Sequence, residues 1–237
     1  MKLLLISNST NAGETYLGFS KRSIQLFLEK NKVNEVLFVP YAAVTFSYDA
    51  YEDRVTKVFD ELGIKVRGLH RESDPYMAVM AASAIVVGGG NTFHLLKHFR
   101  QARIMEAARI KIQNGTPYIG WSAGANLACP TICTTNDMPI VEVESFEALN
   151  LIPFQINPHY IDYHPQNHAG ETREQRIAEY IVANPDKYVA GLREGCILHY
   201  ENDKLNLTGP KSVRVFRQGH PAKEISPGED LGFLLKH

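Results

Sequence analysis

The chain has 237 residues, 44% of them hydrophobic and 22% charged, with a formal net charge of −1. This length and balance suit one globular domain spanning 1–237, and the near-neutral charge leaves no electrostatic footprint for nucleic acid or an anionic membrane. No apolar run approaches the roughly 20 residues that cross a bilayer as a helix.

Met1 to Ser7 opens with a short apolar segment, and polar Asn8-Ser9-Thr10-Asn11 follows at once. That segment is shorter than the ~7–15 apolar residues of a secretory leader, so Lys2–Ile6 reads as the first, central strand of a cytoplasmic protein. Tyr16–Lys30 follows as a helix, with Leu17, Ile24, Leu26, Phe27 and Leu28 as its apolar face. Glu35–Val39 is a second strand, stopped by Pro40. Tyr51–Leu62 is a helix and Ile64–Leu69 a third strand. Asp74-Pro75 starts a helix that Met77–Ala82 continues, proline being tolerated in a first turn. Ala84–Val87 is a fourth strand ending in Gly88-Gly89-Gly90-Asn91, and Thr92–Gln113 is helical with a break near Gln101. Strand and helix alternating in this way predict an α/β fold, a parallel sheet with helices on both faces. After Gly191 the runs Cys196–Tyr200, Leu205–Leu207 and Val213–Phe216 are short and turn-separated, which predicts antiparallel hairpins appended to the sheet from about residue 196. The three cysteines, Cys129, Cys133 and Cys196, form neither a paired framework nor a zinc set and read as free thiols in a reducing compartment.

Residues 118–124, Tyr-Ile-Gly-Trp-Ser-Ala-Gly, carry the chemistry. An apolar strand runs into Gly120-Trp121-Ser122-Ala123-Gly124, the G-x-S-x-G pattern that places a serine on a sharp strand-to-helix turn. Ser122 is then the candidate nucleophile. A serine hydroxyl needs a base to take its proton, and among nine histidines His159 is the candidate, in a loop after the apolar strand of Gln155-Ile156-Asn157-Pro158-His159. His164 and His168 raise a zinc alternative, but Pro165 between them argues against the helix that would put both on one face. The base needs a carboxylate to hold its tautomer. Asp137, in a polar loop downstream of the nucleophile, and Glu194, at the end of the strand Tyr188–Leu192, are both candidates. The carboxyl ends of parallel strands are where open α/β sheets gather their sites, which favours Glu194. Gly88-Gly89-Gly90-Asn91 fails the dinucleotide fingerprint and lacks a Walker lysine. Its bare amides suit an oxyanion cradle, one donor from Gly90 and one from Ala123.

These strings resemble the peptidase E family of α-aspartyl dipeptidases. The resemblance is carried by Val87–Thr92, Ile119–Ala128, Thr134-Thr135-Asn136-Asp137-Met138-Pro139-Ile140, Gln155–His159 and Gly170-Glu171-Thr172-Arg173-Glu174-Gln175-Arg176. It runs from Leu3-Leu4-Leu5-Ile6-Ser7-Asn8-Ser9-Thr10 to the Gly191 region and fades in the last hairpins and over Tyr160–Asn167. It implies a flavodoxin-like three-layer sandwich, related to class I glutamine amidotransferases with serine in place of their cysteine. It also implies metal-free and cofactor-free hydrolysis of dipeptides whose first residue is aspartate. Ser122 maps to the family nucleophile and His159 to its base. Both Asp137 and Glu194 fall on positions to which the third role has been assigned. Where the family has Pro-Glu-Gly, this chain has Arg193-Glu194-Gly195.

A pocket selecting aspartate must meet a carboxylate, which an arginine fork does bidentately. Arg173, opening the helix Thr172–Ala183, is the candidate, from its own chain or across a homodimer. Alternatives are a cyanophycinase-like exopeptidase acting on aspartyl polymers and a non-catalytic protein that binds aspartyl ligands. An α/β-hydrolase esterase would need more chain between Ser122 and His159 than is present.

Overall fold

The computed structural model describes residues 1–162 and 169–236. Lys2–Ile6 forms β1 and Lys21–Lys30 forms α1. Glu35–Val39 is β2, Tyr48–Asp60 is α2 and Lys65–Gly68 is β3. Pro75–Ala81 is α3, Ile85–Val87 is β4, and Thr92–Gln101 and Met105–Gln113 are α4 and α5. Tyr118–Trp121 is β5, followed by the short α6, Ala123–Leu127. Gln155–Tyr160 is β6, Arg173–Ala183 is α7 and Val189–Arg193 is β7. Ile197–Glu201, Lys204–Thr208, Val213–Phe216 and Lys223–Ile225 are β8 to β11.

Seven strands form the central sheet in the order β3-β2-β4-β5-β1-β8-β9. The first five in that order run parallel, and the β8–β9 hairpin is antiparallel along the β1 edge. Side-chain alternation divides the core about this sheet. Leu4, Ile6, Val36, Phe38, Val86, Ile119 and Trp121 face α1 and α2 on one side. Leu3, Leu5, Leu37, Val39, Ile85, Val87 and Tyr118 face α3 to α6 on the other. The result is an α/β three-layer sandwich with a mostly parallel central sheet. Every strand of the parallel block except β3 is wholly or almost wholly buried, which is why these runs are continuously apolar in the sequence.

The structure departs from the sequence expectations in three places. β6 and β7 do not extend the central sheet. They pair in parallel in a second sheet, β11-β10-β7-β6, whose inner residues Ile156, Ala190, Leu192, Val213 and Val215 join the same core as Leu3 and Leu5. Of the appended hairpins, only β8–β9 therefore lies on the central sheet. The first helix begins at Lys21 instead of Tyr16, because Leu17 has φ +55° and its amide bonds the Ser9 carbonyl at 2.6 Å, closing a loop. The helical stretch 92–113 breaks after Gln101, as expected, and Arg103 in the break takes φ +55°. His159 belongs to β6 and not to a loop.

Candidate active site

β4, β5 and β1 are adjacent and parallel, so their carboxyl ends open side by side. Gly88–Gly90, Ser122 and Ser7-Asn8 leave those ends in turn. At β5 the chain turns at Ser122 with φ +52° and ψ −111°, a conformation that side-chain-bearing residues rarely adopt. The turn closes only because its neighbours are small. A Cβ on Gly120 would lie 2.4 Å from the Gly124 carbonyl oxygen, and one on Gly124 would lie 2.3 Å from the Val87 carbonyl oxygen. The Ser122 amide bonds the Ile6 carbonyl at 2.9 Å and its carbonyl starts α6 through Asn126 N at 3.0 Å. The backbone is pinned on both sides and the hydroxyl is left partly exposed.

The hydroxyl meets His159. Ser122 Oγ and His159 Nε2 lie 2.9 Å apart, and His159 Nδ1 lies 2.7 Å from Glu194 Oε1. With Nδ1–H given to the carboxylate, Nε2 carries the lone pair that a base requires. The His159 and Glu194 side chains are 38% and 43% exposed, so solvent screens their attraction. What Glu194 supplies is orientation and tautomer more than ion-pair energy. His159 reaches this position through a bulge in β6, where the register against β7 shifts between Pro158 and Tyr160 and His159 takes φ +53°. Two polar residues at the end of β1 hold the arrangement. Ser7 Oγ donates to the Leu192 carbonyl at 2.7 Å and accepts from the His159 amide at 3.0 Å. Asn8 Oδ1 accepts from the Gly195 amide at 2.9 Å, next to Glu194. Neither residue stood out as part of the site in the sequence. The available signal was a polar Ser-Asn pair where a buried strand ends.

The loop after β4 lies against the elbow: a Cβ on Gly89 would stand 2.9 Å from Ser122 Cβ. Gly90 takes φ +137°, where a side chain would strike the Ala42 carbonyl oxygen at 2.2 Å. Gly88 N and Asn91 N bond the Val39 and Ala42 carbonyls, while the Gly89 and Gly90 amides between them take no backbone partner among the described residues.

Asp137 lies elsewhere. Its Oδ2 accepts from the Thr92 amide at 2.7 Å, the Thr92 hydroxyl at 2.6 Å and the Thr135 hydroxyl at 3.1 Å. It thus caps α4, where the helix dipole favours a carboxylate. The structure brings Glu194 to His159 and commits Asp137 to Thr92, at the start of α4. Arg173 opens α7 behind a capping box formed by Thr172 and Gln175. It lines a cavity of about 50 Å³ with Thr134, Thr135, Asn136 and Asn157. Its Nε is buried and has no partner among the described residues. Burial and neighbouring Arg176 pull its pKa down, while Asp137 pulls it up. His164 and His168, the zinc alternative, lie outside the described residues. Among the described residues Asp49, Glu52 and His70 bring ligand atoms within 4.8 Å of one another. There the Arg71 guanidinium bonds Asp49 at 2.7 Å and Glu52 at 2.6 Å, so the cation at that cluster is the arginine.

A strained serine, an imidazole and a carboxylate in one hydrogen-bonded chain beside bare backbone amides is the arrangement of a serine hydrolase. The profile of Peptidase family S51 matches residues 3–208. The chain belongs to this family. It is 48% identical over 235 residues to a peptidase E of Nostoc sp., covering 99% of this chain and 97% of that one. It is 46% identical over 231 residues to peptidase E of Salmonella typhimurium, covering 96% and 99%. The fold resembles that of a protein from Listeria monocytogenes assigned as peptidase E, with TM-score 0.63, 24% identity and coverage of 89% and 98%. It also resembles a peptidase from an acI-B1 Actinobacterium, with TM-score 0.71, 18% identity and coverage of 97% and 96%. The S51 chain described here is a serine dipeptidase acting on peptide substrates. No helix among its described residues is long and apolar enough to cross a membrane.

Proposed function

We propose that the enzyme hydrolyses Asp-Xaa dipeptides with a free N-terminal aspartate through an acyl-enzyme on Ser122. The observation that carries this reading is the unbroken chain from Ser122 Oγ to His159 to Glu194, at 2.9 and 2.7 Å. Ser122 Oγ attacks the aspartyl carbonyl carbon while its proton passes to His159 Nε2. Glu194 holds Nδ1–H and stabilises the imidazolium that forms. The tetrahedral oxyanion is met by the amides of Gly90 and Ala123. His159 returns the proton to the leaving amine and the peptide C–N bond breaks. Water, deprotonated by His159, then cleaves the aspartyl ester and frees Ser122. Arg173 takes the aspartyl side-chain carboxylate, within its own chain or across a homodimer, and its partnerless Nε supports that assignment. We further propose a single domain over 1–237, a cytoplasmic location, and no requirement for metal or cofactor.

A panel of Asp-Leu, Glu-Leu, Ala-Leu and β-aspartyl-arginine, run with and without chelator, tests the proposal. Selective turnover of Asp-Leu, unchanged by chelator, is expected. Preference for β-aspartyl-arginine would replace the reading with a cyanophycinase-type exopeptidase, and loss of activity on chelation would revive a metal site.

A further inference from the structure

Tyr51 sits on α2, and its hydroxyl reaches the loop after β4, where it donates to the Gly89 carbonyl at 2.9 Å. The same oxygen accepts from Trp121 Nε1 at 3.1 Å and from the Tyr16 hydroxyl at 3.4 Å. A phenol has one proton and two lone pairs, so these three bonds use the group completely and its proton goes to Gly89. Burial pushes the Tyr51 phenol up, which keeps that proton on the oxygen. The hydroxyl also fits flush beneath the loop: a Cβ on Gly88 would lie 2.5 Å from it.

The choice of acceptor has a stereochemical consequence. The Gly89 carbonyl and the Gly90 amide belong to one planar trans peptide and point in opposite directions. Holding the carbonyl on Tyr51 turns the Gly90 N–H to the other side of the loop. Nothing in the side chains resists rotation of this peptide, because Gly89 and Gly90 have none, and Gly90 sits at φ +137°. A rotated peptide would present a carbonyl oxygen where a donor is required. The tie also runs to the nucleophile, since Trp121 immediately precedes Ser122.

We propose that Tyr51 is a positioning residue for the oxyanion hole: its hydroxyl locks the Gly89–Gly90 peptide in the donor orientation and fastens that loop to the nucleophile strand. The inference rests on the roles given above to Ser122 and Gly90.

Tyr51→Phe is the test. It keeps the ring contacts with Phe38 and Phe46, whose centroids lie 5.0 and 5.3 Å away, and removes only the hydroxyl. Assayed below its melting temperature, the variant should lose at least about tenfold in kcat for Asp-Leu, approaching the 10²–10³ of a deleted oxyanion donor. KM and the pH midpoint of kcat/KM should stay at their wild-type values, because substrate binding and His159 are untouched. Trp121 is the sole tryptophan, so its emission reports the same bond and should move to shorter wavelength as the indole N–H loses its acceptor. A crystal structure of the variant should show the Gly89–Gly90 peptide rotated or in two orientations. Tyr16→Phe, which removes only the 3.4 Å bond, should keep wild-type kcat. Wild-type kcat in Tyr51→Phe with shifted tryptophan emission would overturn the proposal, as would a loss confined to KM. If Ser122→Ala retains turnover, the underlying reading fails. If Ser122→Ala is inactive and Tyr51→Phe is fully active, only this inference fails.

Discussion

Ser122 and His159 both sit at positive φ, at +52° and +53°, but the chain holds them there by different means. Around Ser122 the constraint is mainly local and steric: Gly120 and Gly124 come so close to each other and to Val87 that no larger residue fits. Around His159 it is remote and polar: Ser7, 152 residues away, bonds its amide, and Glu194, 35 residues away, bonds its ring. A turn made of close backbone contacts is rigid but intolerant of added volume. A position held by a few exchangeable hydrogen bonds tolerates substitution in folding but loses alignment readily. The comparison therefore separates changes that unfold the protein from changes that only misalign it.

The largest expected effect is chemical. Ser122→Ala should abolish Asp-Leu hydrolysis, a loss of at least about 10⁴-fold, while thermal melting stays near wild type. Retained turnover in the purified variant would remove Ser122 from the reaction. Next comes Glu194→Gln, which offers a neutral amide to His159 Nδ1 and should cost about 10²–10⁴ in kcat with little change in stability. Asp137→Asn should do the reverse. It weakens the cap of α4, with about 0.5–2 kcal/mol lost in urea unfolding and a smaller loss of kcat. If Asp137→Asn proved the more damaging to turnover, the pairing of His159 with Glu194 would have to be reassigned. On the steric side, Gly124→Ala should destabilise by about 1–3 kcal/mol or more, read as a lower urea midpoint, because its Cβ would press on the Val87 carbonyl.

The smallest effect concerns Arg193, the residue before Glu194. It bonds Asp162 and Glu224 and holds the Glu224 carboxyl down from 4.5 to about 2. A depressed folded-state pKa adds stability that is present above pH 4.5 and is lost as pH falls toward 2. Glu224→Gln should flatten that part of the stability–pH curve in acid unfolding, modestly, since the side chain is 41% exposed. A curve unchanged by the substitution would show that the Glu224 carboxylate's pairing with Arg193 adds nothing to stability.

How much of this was legible in the chain follows the same division. The buried strands β1, β2 and β4 were readable within a residue at each end, because burial on both faces demands uninterrupted apolar runs. The elbow was readable because its requirements are met by five consecutive residues. The turn at Leu17 was not, since a positive φ in a residue with a side chain follows from tertiary closure and leaves no mark in composition. The roles of Ser7 and Asn8 were hidden because their partners, Leu192, His159 and Gly195, are distant in sequence.

From residue order alone came the α/β class, the serine at its turn, the histidine, and a choice of two carboxylates. Folding in three dimensions brought Glu194 to His159 and Asp137 to Thr92, and it split off the second sheet that carries both β6 and β7. The reason is one of range. Steric and periodic signals act between near neighbours and are written in adjacent letters. A hydrogen bond between separate strands depends on where the whole core places their ends.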